Sequence, residues 1–450
     1  MSLADLAGVS GLGARLRLAS QHDLAAVLKG AAQVLAIRLA GAGLAYATMI
    51  LLARWLGAFE FGIYAYIWVW LIVLMPPLSL GYSSSCLRFL PDYFARAKWA
   101  RLHGFLIQGY AVSVAVSTLV ALIGAASVFV LRDHVATHYF LPLLIGFVSL
   151  PLSVLFNQLE GVARAFGWVH AAFLPGYIVR PVLVIAVVGF LYWIEAMPNS
   201  VDALWALAAA SVATVLVQGA MVLARTRRAL PRVKPVYHTR PWAAISLSFV
   251  MIDGFRMLLE NSDMLLIGEL LDPGSVAVYF AAARTAGLIA FLYFAVVALA
   301  VPKFSKIRVT GTHEELQRFV SGVIHLMFWP SALAAIVIAM LGPFALSLFG
   351  GDFEEGYWVL LVLLIGLVAR AAIGPVEYLL NMTGHHADTM RATFAMGLAN
   401  IGLIVILVPK MGIVGAAISS TGALVGVSVW LAILVWRRLN IVSFVFTGRT

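Results

Sequence analysis

ISLSFVMIDGFRMLLENSDMLLIGE, residues 245–269, is long and apolar enough to cross a bilayer, yet its middle carries Asp253, Arg256, Glu260 and Asp263. Their spacing of i, i+3, i+7 and i+10 puts all four on one stripe of an α-helix. Val250, Met257, Leu258, Leu265 and Leu266 fall on the opposite face, which suits lipid or apolar neighbours. A charge near the membrane centre costs about 2.5–3.5 kcal/mol on insertion scales. Four on one segment therefore require that the stripe face protein or water, and the remaining chain has to supply those surroundings.

The composition agrees. Of the 450 residues 63% are apolar and only 11% charged, with a mean hydropathy of +0.99. Soluble domains are about 25% charged. The fold class expected is an all-α polytopic membrane protein. A bilayer core takes about 20 apolar residues per helix, and twelve such runs can be placed near 31–52, 61–81, 104–131, 139–160, 170–194, 202–224, 244–268, 276–300, 318–341, 357–380, 391–409 and 412–436. No connection is long enough for a soluble domain, and the one near 225–241 is highly basic.

Orientation follows from the cations. With the N-terminus inside, 22 of the 30 Lys and Arg residues fall in cytoplasmic segments, five lie within spans, and only Arg54, Arg132 and Lys410 lie outside. This is the positive-inside asymmetry, and it places both termini in the cytoplasm. The net charge of +10 is thereby orientation, with anionic lipid as a contributing partner, and nucleic acid is not a partner. The basic start leads late into a full-length apolar run, unlike a cleavable signal. Residues 1–28 are expected to form a cytoplasmic segment, either in part an interfacial helix (Leu3, Leu6, Leu12, Leu16) or a disordered tail.

A repeat divides the chain. At an offset of 215, Met49, Leu51, Leu56 and Tyr64 fall on Met264, Leu266, Leu271 and Tyr279, and at 217 Arg164–Gly167 meets Asn381–Gly384. Each pair occupies the same place in the span pattern. The expected organisation is two six-helix bundles, 29–224 and 242–436, related by a parallel repeat. The linker 225–241 joins them and a tail, 437–450, follows.

Arg38, Arg180, Arg256, Arg284 and Arg370 lie within spans, balanced by Glu160, Asp253, Glu260, Asp263 and Glu377. Interhelical ion pairs and snorkelling account for such groups near span ends. For the deeper ones a polar cleft is the better account, since ten charges facing lipid would cost on the order of 25–35 kcal/mol. Arg38 and Arg256 could offer forked donors to a phosphate, with Arg180, Arg284 and Arg370 as further contacts. Asp253, Glu260 and Asp263 could serve as counter-ions or take up a coupling H⁺ or Na⁺. Paired prolines and Pro-Gly steps within spans (Pro76–Pro77, Pro175–Gly176, Gly374–Pro375) suit helices that bend, although such residues are common in membrane helices anyway. Cys86 is the single cysteine, which excludes a disulfide and cysteine-based metal motifs. The chain has no phosphate-binding Gly-Lys loop, and no cofactor, metal or enzymatic activity is expected.

ARWLGAFEFGIYAY (53–66), NSDMLLIGELLDPGSVAVYFAAART (261–285) and VPKMGIVGAAISS (408–420) resemble signature stretches of bacterial polysaccharide and O-antigen flippases. That family belongs to the multidrug/oligosaccharidyl-lipid/polysaccharide transporter superfamily. The resemblance implies two bundles around a cleft exposed alternately to each side of the inner membrane. It also implies an undecaprenyl-pyrophosphate-linked oligosaccharide as substrate, for exopolysaccharide, capsule or O-antigen synthesis alongside a polymerase and glycosyltransferases. The early Arg- and Asn-rich motif of lipid II flippases is absent, and twelve spans are counted where those have fourteen. The alternatives are a multidrug or cation antiporter of the same superfamily and a non-transporting scaffold for polysaccharide assembly.

Overall fold

The computed structural model describes residues 3–194, 197–310 and 312–446, and all regular structure among them is helical. In hydrocarbon no water satisfies backbone N–H and C=O groups, so each apolar run closes its hydrogen bonds within itself. The elements are α1 (Leu3–Leu78), α2 (Tyr82–Ala95), α3 (Trp99–Val130), α4 (Thr137–Ala165), α5 (Val169–Trp193), α6 (Ser200–Ala229) and α7 (Thr239–Leu270). They are followed by α8 (Pro273–Ala286), α9 (Ala290–Thr310), α10 (His313–Ser347), α11 (Tyr357–Ile373), α12 (Val376–Met382) and α13 (His386–Leu439).

Ten helices among the described residues are long and apolar enough to cross a membrane, and two of these are too long for one crossing. Residues 36–78 of α1 number 43 and α13 has 54, against about 20 needed. Each turns back at a glycine outside helical geometry, Gly57 (φ 79°, ψ 168°) and Gly412 (φ 57°, ψ −142°). A side chain is strained at these positive φ values. A methyl group on Gly415 would meet the Leu407 backbone, and one on Gly426 the Met396 side chain, so the arms of α13 lie side by side. Counting the two arms of α1 and of α13 separately gives twelve crossings. The first three residues of the expected tail, Arg437 to Leu439, end α13. The segment after it packs on the second half, with Ile441 and Val445 buried and the Val442 amide donating to Gln317 Oε1 at 2.8 Å. Residues 447–450 lie outside the described part.

The core is continuous at one end of the molecule and divided at the other. Far from the basic linker, one apolar cluster takes in Leu52 and Phe61 of α1, Val154 of α4, Ile267 of α7, Phe280 of α8 and Ala416 of α13. At the linker end there are two clusters. One belongs to the first half (Cys86, Leu102, Phe105, Ala171), the other to the second (Phe304, Val320, Leu380, Val435). A cleft therefore opens between the halves towards the linker and closes at the far end.

Backbone contact makes that closure. A Cβ on Gly62 would collide with the Pro273 carbonyl, so α1 and α8 touch there main chain to main chain. Nearby, Arg54 donates to the Leu348 carbonyl at 2.6 Å at the end of α10, where unpaired carbonyls and the helix dipole favour a cation.

The helix that carries the charged stripe is shared between the halves. Its first part packs on the first half: Trp242 is fully buried with its indole N–H donating to Tyr93 at 2.8 Å, and Ser246 bonds Ser85 at 2.8 Å. Its last part, with Met264, Leu265 and Ile267 buried, joins the common far-end core. Between them lies a π-turn, Val250–Gly254, whose Gly254 faces Pro77.

Because overpacking costs about 1–3 kcal/mol, Gly62→Val is expected to open the far end. A cysteine placed at Leu56 should then react with a membrane-impermeant thiol reagent at least about fivefold faster than in the parent background; equal rates would show that this contact does not hold the halves together.

Candidate functional site

In the first half a cavity of about 310 Å³ lies beside the cleft. The two arms of α1 supply Gly41, Thr48, Tyr64 and Trp68; α4 supplies Phe156 and Glu160; α5 supplies Tyr177 and Arg180. The local sequence of α5 explains the shape. Pro181 has no N–H to give Tyr177, so the turn Pro175–Val179 widens to π geometry. The widened turn carries Tyr177 against Gly41 and sets Gly176 against Phe156. Arg180, next in line, is thereby directed into the cavity.

Its guanidinium lies over Trp68 at 4.7 Å and over Phe156 at 5.1 Å. Arg38 lies over Phe173 at 4.9 Å. Glu160, one helical turn before Arg164, is 3.7 Å from it and within electrostatic reach of Arg38 and Arg180. Three guanidinium groups thus surround one carboxylate, an excess of positive charge in a partly enclosed site. Planar guanidinium groups suit phosphate oxygens, and the aromatic faces beneath hold them without neutralising them.

Across the cleft the stripe on α7 is not one wall. The π-turn sets Asp253 apart from the other three charges, which follow it on a regular α-helix, and the four take partners in three places. Asp253 accepts from Ser84 of α2 at 2.5 Å. Arg256 donates to both oxygens of Glu260 at 3.0 and 3.2 Å, and both side chains are about half exposed, at 49% and 53%. Asp263 accepts from Tyr279 at 2.6 Å and from Ser420 at 3.4 Å, within electrostatic reach of Arg284. Arg284 itself lies over Phe280 at 4.7 Å. Arg370 stands apart, over Tyr293 at 4.6 Å and 3.9 Å from Glu377. Arg38 and Asp253, which the same offset of 215 also pairs, are not partners. Tyr64 and Tyr279, also matched, each adjoin the charged centre of their half, Arg180 and Asp263.

Of the residues expected to bind or couple, the structure brings Arg38 and Arg180 together around Glu160, and Asp263 together with Arg284. Arg256 and Glu260 form their own pair. Tyr177 and Arg164 escaped the sequence reading. The i, i+4 spacing of Glu160 and Arg164 was a usable signal; no spacing points to Tyr177, which is set by the π-turn. Gln158 is fully buried, donating to the Cys86 sulfur at 3.7 Å, and Asn157 accepts from Ser83 at 3.0 Å. Gln158 Oε1 is buried without a hydrogen-bond partner among the described residues.

No curated protein matches the chain. The fold is similar to several solved transporters. An inward-facing multidrug-resistance MATE transporter of the MOP superfamily shares a TM-score of 0.71 at 15% identity, over 90% of this chain and 94% of its own. The lipid II flippase MurJ in an inward closed conformation gives 0.69 at 15% identity, over 91% and 87%. A MOP-superfamily transporter from Pyrococcus furiosus, described as having a binding pocket of reverse polarity, gives 0.65 at 15% identity, over 92% and 96%. At such identities the likeness is one of fold. The family described as polysaccharide biosynthesis protein matches residues 27–308, well over half of the chain. With that match, and with twelve crossings in two halves around a cleft, the chain belongs to the polysaccharide biosynthesis protein family and has the fold of MOP-superfamily transporters and flippases.

Proposed function

We propose that the protein turns over an undecaprenyl-pyrophosphate-linked oligosaccharide from the cytoplasmic to the outer leaflet of the inner membrane, by alternating access, for exopolysaccharide, capsule or O-antigen synthesis. The observation that carries this reading is the positive centre of Arg38, Arg164 and Arg180 around Glu160, beside a cleft open at the end that bears the basic linker. A membrane anion entering from the cytoplasmic leaflet would reach it first. Arg256 and Arg284 face the second half's acids and receive the pyrophosphate as the halves rock; Arg370 is a peripheral contact. Asp263, with its Tyr279 and Ser420 donors, takes up the coupling H⁺ or Na⁺, and Asp253 and Glu260 act as counter-ions. The linker and both termini lie in the cytoplasm, where glycosyltransferases would supply the substrate; a polymerase would receive it outside.

Exchange of a fluorescent lipid-pyrophosphate-linked sugar between leaflets of proteoliposomes tests the reading. Charge-assisted hydrogen bonds contribute about 1.5–3 kcal/mol, so Arg38→Ala and Arg180→Ala should each slow exchange by roughly 10- to 100-fold. Arg256→Ala, which removes an already paired charge, should cost less. Full-rate exchange in Arg180→Ala would refute the phosphate site. Absence of exchange by the unaltered protein would point to a scaffold, and drug efflux without exchange to an antiporter.

Coupling is tested separately. Asp263→Asn is expected to abolish stimulation by an imposed H⁺ or Na⁺ gradient while leaving gradient-free exchange in place; stimulation that persists would move the coupling site elsewhere. The orientation is checked with single cysteines in a Cys86→Ser background. Lys234→Cys should be shielded from an impermeant reagent added outside cells and Asp352→Cys labelled by it; the reverse pattern would invert the topology.

A further inference from the structure

A second cavity lies at the end opposite the linker, between α1, α3 and α4 of the first half and the α7–α8 corner of the second. At about 670 Å³ it is larger than the arginine cavity, and its chemistry is the opposite. The part remote from the far-end loops is aliphatic, walled by Ile67, Leu71, Leu74, Leu143 and Leu150. The part near the loops is aromatic and acidic, with Tyr66, Trp70 and Tyr139 beside Glu269 and Asp272. The Tyr66 ring is 5.1 Å from Tyr139 and 6.3 Å from Trp70.

Asp272 is occupied as the N-cap of α8, accepting from the Ser275 amide and hydroxyl. Glu269 accepts one hydrogen bond, from Tyr66 at 2.5 Å, and is otherwise exposed. The Tyr139 hydroxyl is buried without a hydrogen-bond partner among the described residues. The lining contains His134 and His138, the latter against Phe59 and Tyr139, but no Lys or Arg, and Arg132, next to the lining residue Leu131, is turned towards Asp133 at 3.6 Å. An adjoining depression shares Phe59 and Asp272 and adds Asp352 and Glu355. Carboxylates outnumber Lys and Arg in and around this mouth, and the aromatic faces favour a cation through their quadrupoles. A phosphate would be repelled here, while an apolar body has a long aliphatic slot to fill.

We propose that this cavity binds an amphiphile with a cationic head. The head sits at Glu269 among Tyr66, Trp70 and Tyr139, and the apolar body lies along the aliphatic wall. The cation is either a free lipophilic ion or the ammonium of an aminolipid in the adjacent leaflet. Glu269 and Asp272 come from the second half and the other walls from the first, so occupancy favours the arrangement in which the far end is closed. The site stands apart from the pyrophosphate reading, and its test reads binding alone.

Tetraphenylphosphonium and tetraphenylborate have nearly the same shape and opposite charge. Binding of each to the full chain in phosphatidylcholine nanodiscs is measured against empty discs. Tetraphenylphosphonium should bind saturably and at least about tenfold tighter than tetraphenylborate, and Glu269→Gln should weaken it about tenfold. Glu314→Gln, in the first turn of α10 and outside both depressions, should leave it unchanged. Equal binding of the two ions, or a Glu269→Gln protein that binds the cation as the parent does, would overturn the proposal. Should that variant not fold, Trp70→Leu carries the same expectation and the same refutation. In phosphatidylethanolamine discs, weaker apparent binding of the probe identifies an aminolipid as the occupant, and unchanged binding identifies a free cation.

Discussion

A charge inside a membrane has to be given a companion, and that requirement shapes this molecule. Four of the five arginines within the spans rest on aromatic faces, at Phe173, at Trp68 with Phe156, at Phe280 and at Tyr293. An aromatic face stabilises a guanidinium while leaving its N–H groups free, whereas a carboxylate would occupy them. The acids are met differently: Asp253 and Asp263 accept from hydroxyl groups. Arg38, Arg180, Arg284, Asp253 and Asp263, half of the ten charged groups within the spans, are thus held in place without a salt bridge among the described residues, which is the condition a binding site needs and a purely structural ion pair does not meet.

The glycines and the π-turns are what make this companionship geometrically possible. Gly41 and Gly176 bring α1 and α4 close to the widened turn of α5, and that approach puts Arg180 over two rings. Gly62 brings α8 up to α1 at the opposite end. One end is zipped main chain to main chain and the other is left with separate cores, so the same helices form both the closed gate and the open cleft.

Much of this could be read directly from the chain. Apolar length, the asymmetry of Lys and Arg, and the matched Met49–Tyr64 and Met264–Tyr279 segments lead to twelve crossings in two halves, because each of these reports a property of the bilayer or of duplication. The division of labour along residues 245–269 was not legible. A helical stripe assumes 3.6 residues per turn throughout, and the π-turn at Val250–Gly254 removes that premise at the first of the four charges. Nor does opposite charge identify partners in a membrane. The balance of five basic against five acidic groups suggested ion pairs, whereas tertiary packing placed aromatic rings beneath most of the arginines. Only Phe280, four residues before Arg284 on α8, could be found from helical spacing; the other rings belong to other helices, and no local periodicity encodes them.

The sharing of α7 has a consequence for how such chains can diverge. Duplication begins with two units that each bury their own core. Here Trp242 and Ser246, which follow the linker, complete the packing of the unit that precedes it, while Met264 to Ile267 of the same helix complete the far-end core. The halves have ceased to be interchangeable modules. A chimera that exchanged halves at the linker would separate Trp242 from Tyr93, whereas one joined after Gly254 would carry each linker-end core across whole and divide only the shared far-end core. The natural seam of this protein lies within a membrane helix, not in the loop that seems to divide it.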